Sequence, residues 1–169
     1  MATLHVVVGL PGAGKTTLAR RLEADVPALR LTPDEWMVPL FGEPEAGGKR
    51  DDVEGLLIAL ALRSLALGVD VVLDFGVWSR DERTCLRHLA ALQGADTRLH
   101  YLPVDPEEQW RRLSARDEAT SFRIERADMD HYATFFEAPS AEELAGADER
   151  PDDPDWTEWS SRRWHTLAE

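Results

Sequence analysis

The 169-residue sequence predicts an α/β fold in which a parallel sheet of four or five strands is flanked by helices. Short apolar runs alternate along the chain with longer amphipathic stretches, which is the pattern of strands joined by crossover helices. The apolar runs show little polar alternation, as expected of strands that helices cover on both faces. The chain length and a hydrophobic content of 43% are sufficient for one domain with a single buried core.

The first predicted strand, Thr3–Val8, is short, rich in β-branched residues and bounded by glycine and proline. Further strands are predicted at Ala28–Thr32, Val69–Asp74 and Arg98–Leu102. Helices are predicted at Lys15–Ala24, Asp34–Phe41, Asp51–Leu67, Arg80–Leu92, Pro106–Ala115 and Ile124–Phe136, with a loop at Phe41–Lys49. In the longest of these helices we expect Asp51 or Asp52 to be the N-cap and Gly68 to end the helix.

The chain divides by composition into a main domain and a C-terminal segment. Residues 1–147 are predicted to form the domain, with a lid at about residues 112–126. Residues 148–169 are predicted to be an acidic linker followed by a helix that packs against the domain through Trp156, Trp159 and Trp164.

Charge and cysteine content limit the function classes. A formal net charge of −13 disfavours binding of a long nucleic-acid backbone, so we expect nucleic acid not to be a partner. The chain has one cysteine, no apolar run of membrane-spanning length and no signal-peptide pattern. We therefore expect a cytoplasmic protein that does not associate with membranes.

The segment Gly9–Thr16, GLPGAGKT, fits the P-loop pattern G-x-x-x-x-G-K-[ST] and lies between a predicted strand and a predicted helix. Glycines let the backbone direct its N–H groups at phosphates, and the helix N-terminus that follows favours an anion. Lys15 is expected to bind the β- and γ-phosphates of ATP, and the Thr16 hydroxyl is expected to be a ligand for Mg²⁺. The predicted nucleotide-binding residues of the loop are Gly9, Gly12, Ala13, Gly14, Lys15, Thr16 and Thr17.

P-loops occur in kinases, nucleotide switches and ATP-driven machines, and other features separate these classes. A guanine-nucleotide switch reads its base with [NT]-K-x-D after a strand, but this chain lacks Asn and offers only Gly48-Lys49-Arg50-Asp51 in a predicted loop. An ATP-driven machine needs a larger chain or several modules. A small single domain with a basic, broken segment late in the chain favours a kinase.

Asp34 follows the second predicted strand, so it should lie at the carboxyl edge of the sheet, where α/β folds bind ligands. A carboxylate there can accept the proton of an attacking hydroxyl and thus act as the general base. The alternative is that Asp34 is a helix N-cap after Pro33. Glu35 is the second candidate for the base, and both residues are predicted to contact the substrate.

Asp74 ends the third predicted strand, which is the position of a Walker-B aspartate that holds Mg²⁺ directly or through water. The alternative is a strand-terminal aspartate in a turn. Arg80 and Arg83 follow near the same edge, with Ser79 or Asp81 as the cap of their helix. Either arginine can contact phosphate or substrate, with Arg80 the predicted substrate residue, or both can be solvated helix charges.

The basic segment WRRLSARDEATSFRIER supplies the predicted lid. Arg112 and Arg116 are four residues apart and share a helix face, from which they can close over the triphosphate and neutralise its charge during transfer. Arg123 and Arg126 are further candidates. The alternative is a solvated helix of mixed charge.

Four features follow one another along the chain: the P-loop, the aspartate after the second strand, the LD of the third strand with its following arginines, and VDPEEQWRRLSAR. Over about Leu4–Tyr132 the chain resembles the P-loop kinases grouped with polynucleotide 5′-kinases, zeta toxins and chloramphenicol phosphotransferases. The resemblance implies that Asp34 is the general base and that Arg116 bridges the donor phosphates. With Lys15, these form the expected catalytic set.

The sequence departs from the polynucleotide kinases at two positions. They carry D-x-N where this chain has Asp74-Phe75-Gly76, and they carry an arginine for the 3′-phosphate where this chain has Met37. We therefore expect an ATP- and Mg²⁺-dependent kinase acting on a hydroxyl of a small molecule, a metabolite or an antibiotic. The alternatives are a 5′-hydroxyl nucleic-acid kinase and a non-catalytic nucleotide-binding module.

Overall fold

Within the residues that the structure describes, 1–43, 46–115, 124–147 and 155–168, the computed structural model has one sheet of four parallel strands. The strands are β1 (Thr3–Val8), β2 (Ala28–Leu31), β3 (Asp70–Leu73) and β4 (Asp96–Tyr101), in the order β2-β3-β1-β4. Their bounds agree closely with the predicted ones. The predicted α/β fold with a parallel sheet is confirmed.

The helices connect the strands and cover both faces of the sheet. In chain order they are α1 (Lys15–Asp25), α2 (Asp34–Phe41), α3 (Lys49–Ala66), α4 (Arg80–Leu92), α5 (Pro106–Ser114), α6 (Arg126–Phe135), α7 (Ala141–Leu144) and α8 (Trp156–Arg163). Short 3₁₀ turns at Ala46–Gly48 and His165–Ala168 precede α3 and follow α8. None of the helices in the described ranges combines the length and the apolar character that crossing a bilayer requires.

The start of α3 differs from the prediction. The helix begins at Lys49 with Gly48 as its N-cap, so neither Asp51 nor Asp52 is the cap. Both aspartates lie in the first turn instead, where their charges are favourable near the positive end of the helix dipole. The predicted end is observed, because Gly68 takes a left-handed φ of 82° directly after the last turn.

Parallel pairing brings the carboxyl ends of the strands to one edge of the sheet. Val6 of β1 and Leu31 of β2 are both in register with Leu73 of β3, and Val8 of β1 is in register with Tyr101 of β4. The segments that follow these strands therefore lie side by side. Parallel α/β sheets bind ligands at this edge.

Alternate side chains of β1 enter two hydrophobic clusters on opposite faces of the sheet. The larger cluster, under α3 and α4, includes Val6, Val8, Ile58, Leu73 and Leu86. The smaller cluster joins Val7 to Val72 of β3 and Ala19 of α1. Since both faces of β1 are buried, the strand is fixed in the centre of the fold, and so is the loop that leaves it.

The C-terminal segment, α8 and the 3₁₀ turn after it, packs on α3 and α4. Trp156 and Trp164 are buried in the larger cluster, and the Trp159 ring meets each of them edge-on at 5.8 Å between centroids. Gly55 of α3 permits the close fit, because a Cβ atom there would lie 2.1 Å from Thr166 Oγ1. Most of the predicted acidic linker, residues 148–154, lies outside the described residues.

Candidate active site

The P-loop connects β1 to α1, and two of its glycines are required by its shape. At Gly9 a Cβ atom would lie 2.9 Å from the Leu102 carbonyl oxygen, so the chain can pass this close to the end of β4 only without a side chain. Gly12 has a left-handed φ of 83°. Because α1 begins at Lys15, the unpaired N–H groups of its first turn face the loop. The segment therefore has the geometry of a phosphate-binding loop.

Two side chains, one from the loop itself and one from α5, donate hydrogen bonds to carbonyl groups of the P-loop. Lys15 Nζ donates to the Leu10 carbonyl at 3.1 Å, and Gln109 Nε2 of α5 donates to the Pro11 carbonyl at 2.9 Å. Gln109 is 3% exposed and was missed by the sequence analysis, because a glutamine in an amphipathic helix belongs to no motif. Its position three residues before Arg112, on the same face of α5, is the only signal that could have indicated it.

Arg112 reaches the P-loop from the next turn of α5. Its Nη1 atom is 3.3 Å from the carbonyl oxygens of both Gly12 and Ala13, and its Nε donates to Glu108 at 2.6 Å. Hydrogen bonds from Arg111 and Arg112 lower the pKa of Glu108 to about 2. The structure thus brings Arg112 to the nucleotide side of the fold, while its contact with phosphates stays a prediction.

Asp74 follows β3 and lies buried beside the P-loop. Its carboxylate accepts a hydrogen bond from Thr32 Oγ1 at 3.3 Å and is also hydrogen-bonded to the Thr16 side chain. Burial raises the pKa of Asp74, and the Thr16 hydrogen bond and the Lys15 charge oppose that rise. A buried carboxylate that depends on nearby donors and cations is suited to a metal-bound nucleotide.

The residues present fit Mg²⁺. The Thr16 hydroxyl and the Asp74 carboxylate are adjacent hard oxygen donors, which are the ligands this ion prefers. Groups of at least three His, Cys, Asp or Glu side chains that could hold a metal are absent from the described part of the chain. Mg²⁺ at this position would complete its coordination with nucleotide phosphates and water, as is usual for this ion.

Asp34 lies in the first turn of α2, at the same edge of the sheet. The N-cap of α2 is Pro33 and no side chain caps it, so the alternative of Asp34 as N-cap is wrong. Its carboxylate is 68% exposed and accepts a hydrogen bond from Arg50 Nη1 at 2.6 Å. Burial is the main cause that raises the pKa of Asp74, and the negative charge of Asp34 adds to that rise.

Glu35 points toward a different set of partners. Arg30 Nη2 donates to its two carboxylate oxygens at 2.9 and 3.1 Å, and Arg20 Nη2 lies 3.7 Å away. The Arg30 side chain is only 10% exposed, so the pair is partly shielded from water. The two adjacent acids of α2 are therefore held by arginines of different elements.

Arg50 joins Asp34 to a buried acid. Its Nε donates to Glu54 Oε1 at 3.1 Å, and Arg163 of the C-terminal segment lies 4.0 Å from the other oxygen. Burial raises the pKa of Glu54 to about 7, against the opposing effect of the two arginines. The sequence analysis missed this pair, since it considered Arg50 only as part of an accidental base-recognition motif.

The arginines of α4 have separate environments. Ser79 and Glu82 form a capping box at the start of the helix, which confirms Ser79 as the cap, and the Arg80 backbone N–H donates to Glu137 at 2.6 Å. Arg83 is 1% exposed and pairs with Glu143 of α7 at 2.8 and 3.1 Å. Neither alternative for Arg83 holds, because it is a buried structural residue. Substrate contact by Arg80 stays a prediction.

The predicted lid is described only at its ends. Arg116 and Arg123 lie outside the described residues, and their roles stay predictions. Arg126 forms an ion pair with Glu107 of α5, and its guanidinium lies 5.9 Å from the centre of the Trp110 ring. The two helices that flank the lid segment are therefore in contact.

A strand, P-loop and helix on a parallel sheet, with a buried aspartate after a neighbouring strand, define a P-loop nucleotide-binding protein. Residues 4–139 match the model of the AAA domain family AAA_33, so the chain belongs to this P-loop kinase family. Comparison with curated proteins gave no significant match.

Solved structures with the same fold have diverse descriptions. A protein of the Pnkp1/Rnl/Hen1 RNA repair complex is 21% identical over 86% of this chain, with a TM-score of 0.69, and this chain spans 45% of it. Kti12 of Chaetomium thermophilum, in complex with ADP-AlF3, is 22% identical over 98% of this chain and 100% of its own length, with a TM-score of 0.65. A sugar kinase from Janibacter sp. is 18% identical over 99% and 96% of the two chains, with a TM-score of 0.62.

Proposed function

We propose that this chain is an ATP- and Mg²⁺-dependent kinase that transfers the γ-phosphate to a hydroxyl group of a small molecule, a metabolite or an antibiotic. The observation that carries the proposal is the position of Asp34 after β2, at the same carboxyl edge of the sheet as the P-loop after β1 and Asp74 after β3. The charge of Asp34 contributes to raising the pKa of Asp74, whose carboxylate is hydrogen-bonded to Thr16 and stabilised by the charge of Lys15. A base, a phosphate loop and a magnesium position at one sheet edge are the parts that phosphoryl transfer needs.

The reaction forms a bond between the acceptor oxygen and the γ-phosphorus and breaks the bond from that phosphorus to the bridging oxygen of ADP. The acceptor proton moves to the Asp34 carboxylate. Lys15 stabilises the charge that develops on the phosphate oxygens, and Arg116 is proposed to add charge from the lid. Mg²⁺ held at Thr16 and Asp74 supplies further charge neutralisation when bound.

Asp34 is a better candidate for the base than Glu35. Arg30 occupies both carboxylate oxygens of Glu35 in a partly shielded pair, and breaking it would leave a poorly solvated guanidinium. Only one carboxylate oxygen of Asp34 accepts a hydrogen bond from the half-exposed Arg50, and the Asp34 side chain faces solvent. An acceptor hydroxyl can reach Asp34 with less disruption than it can reach Glu35.

The charges around Asp34 favour a neutral or cationic acceptor. Arg50 binds the Asp34 carboxylate, and part of its positive charge is already balanced by Glu54, which it also binds. Position 37, where polynucleotide kinases carry an arginine, is Met37, fully buried in the core. The net charge of −13 adds a general repulsion of polyanions.

A phosphate-transfer screen tests the proposal. The purified chain is incubated with γ-labelled ATP and Mg²⁺ beside a panel of sugars, gluconate, nucleosides, chloramphenicol and 5′-hydroxyl oligonucleotides, each at low and moderate salt. Sugars and gluconate are included because solved structures with this fold are described as a sugar kinase and a gluconokinase. We expect a small hydroxyl compound to be labelled by the wild type and not by Asp34→Asn.

Two outcomes would contradict the proposal. Efficient labelling of the oligonucleotide that is lost as salt rises would support a nucleic-acid kinase, because each contacted phosphate adds to the salt dependence. Nucleotide binding without label transfer to any acceptor, or to water, would support a non-catalytic nucleotide-binding module.

A further inference from the structure

Side chains of helix α5 contact the backbone carbonyl groups of the P-loop. Gln109 Nε2 donates to the Pro11 carbonyl at 2.9 Å, and Arg112 Nη1 lies 3.3 Å from the carbonyls of Gly12 and Ala13. We propose that α5 holds the P-loop in its phosphate-binding conformation and that Gln109 is a positioning residue for the nucleotide. The inference rests on the proposed binding of ATP at this loop.

Because of the geometry of the peptide bond, a hydrogen bond to a loop carbonyl also fixes the direction of the next N–H group. In a planar trans peptide the carbonyl and the N–H of the next residue point in opposite directions. A donor that fixes the Pro11 carbonyl therefore also directs the Gly12 N–H away from α5. The Ala13 carbonyl, bound by Arg112, fixes the Gly14 N–H in the same way. The Ala13 N–H itself closes a turn onto the Leu10 carbonyl at 3.1 Å.

Phosphate binding by a P-loop depends on N–H groups such as those of Gly12 and Gly14 pointing inward together. Several adjacent dipoles with the same orientation repel one another, so the loop needs partners on its carbonyl side. Since Gln109 and Arg112 are both on α5, one helix provides donors for three consecutive carbonyls. Preorganisation of this kind reduces the ordering cost that phosphate binding would otherwise carry.

The loop packs closely against α5 at Gly12. A Cβ atom at Gly12 would lie 3.1 Å from Leu113 Cγ and 3.2 Å from the Gln109 carbonyl oxygen. Gln109 and Leu113 are both buried. The Gln109 amide is therefore a polar group that the fold buries against the loop, where leaving the Pro11 carbonyl without its donor is unfavourable.

The test compares nucleotide affinities of Gln109→Met with those of the wild type. Methionine has similar length and helix propensity but cannot donate. Isothermal titration should give a dissociation constant for ATP and for ADP that is raised about tenfold, the equivalent of one lost hydrogen bond. Adenosine has no phosphate, so its affinity, measured by NMR titration, should change less than twofold. A residue that only stabilises the fold would affect all three ligands equally.

Two further variants complete the design. Gln109→Glu places a carboxylate against the Pro11 carbonyl, so its loss of ATP affinity should be at least as large as that of Gln109→Met. Gln93→Met makes the same change at an exposed glutamine after α4 and should bind all ligands as the wild type does. Melting temperatures measured in parallel confirm that each variant is folded at the titration temperature.

The outcomes separate this inference from the proposed function. If the wild type does not bind ATP, the proposed function is wrong. If the wild type binds ATP and both Gln109 variants bind it within twofold as tightly, α5 does not position the loop. Equal losses for ATP and adenosine would also overturn the inference.

Discussion

The nucleotide side of this molecule and the region around Asp34, which is the proposed acceptor side, are built in different ways. The nucleotide side is mostly backbone, a continuous loop from Gly9 to Thr16 with α5 behind it. The acceptor side is made of side chains, in which Arg50 joins Asp34 to the buried Glu54. Backbone geometry is shared by a whole family, whereas charged side chains from separate helices can change one at a time.

This difference indicates where specificity resides. A phosphate loop recognises a group that every nucleoside triphosphate carries, so its structure can stay constant. The acceptor differs between kinases of one fold, and its site must be changed without disturbing the loop. Neighbouring structures described as sugar kinase, gluconokinase and a protein of an RNA repair complex are consistent with a constant fold that carries varied sites.

The largest expected effect is on the nucleotide side. Lys15→Ala should reduce phosphate transfer by at least ~10³-fold, about 4 kcal/mol of transition-state stabilisation, because Lys15 is the loop's charge on the transferred phosphate. The measurement is label transfer from γ-labelled ATP under saturating acceptor. Lys49→Ala is a matched control, since Lys49 is the other lysine of the chain and pairs with Asp52 on the surface. Comparable losses for both variants would contradict a specific role of Lys15.

On the acceptor side, Asp34→Asn should lower kcat by roughly 10²–10⁴-fold while ATP affinity stays unchanged, as expected for a positioned base. Steady-state kinetics with varied ATP and acceptor measures the two parameters separately. Glu35→Gln, which removes the adjacent carboxylate, is the control and should keep most of the activity. The reverse ranking would make Glu35 the base.

Between the two sides, Asp74→Asn should weaken the binding of Mg²⁺. The carboxylate lies beside Thr16, so its loss should raise the Mg²⁺ concentration for half-maximal activity by about 10–100-fold. A Mg²⁺ titration at fixed ATP measures the shift. An unaltered titration, with a melting temperature near that of the wild type, would show that Asp74 is not part of the metal site.

Arg50→Met tests whether the acceptor side acts as a connected unit. Arg50 orients the Asp34 carboxylate, so its loss should lower kcat about tenfold with little effect on ATP affinity. In an Asp34→Asn background the same change should have almost no further effect, because the group it orients is no longer a base. Arg63→Met, at an exposed position of α3, is the control. Independent, multiplicative losses would indicate that Arg50 acts without Asp34.

The fold and the nucleotide side could be predicted from the sequence because their signals are local. Each strand is a short apolar run bounded by turn residues, and the loop glycines, Lys15 and Thr16 are contiguous. Asp34 and Asp74 were candidates for a similar reason, since Asp74 directly follows β3 and Asp34 begins the helix shortly after β2, and their roles stay predictions.

The remaining contacts join residues that are distant in the sequence. Arg83 pairs with Glu143, 60 positions later, and Gln109 reaches Pro11 across 98 positions. No local pattern reports such a pair, so Arg83 was assigned to the site edge or to solvent, and Gln109 was not noticed. Arg50 pairs with Asp34, 16 positions earlier on α2, and its i,i+4 pair with Glu54 is a local signal that the sequence analysis did not use.

The last expected effect is on stability and not on catalysis, and it is a pH dependence that originates at Glu54. Burial raises the pKa of Glu54 to about 7 in the folded chain, above its ordinary value of 4.5. The folded state therefore holds this proton more tightly than the unfolded state does, and the resulting stability is fully present below about pH 4.5 and is lost as pH rises through about 7.

The free energy of unfolding, from urea denaturation at intervals between about pH 5 and pH 8, should contain this decline in the wild type. Glu54→Gln cannot titrate, so its curve should be flatter by about one to three kcal/mol over the same range. Glu43→Gln, an exposed acid in the loop after α2, should retain the wild-type slope. Parallel curves for the wild type and Glu54→Gln would mean that the two arginines around Glu54 keep it ionised throughout, and that the acceptor side is a permanent ion-pair network and not one that loses stability as its buried acid ionises.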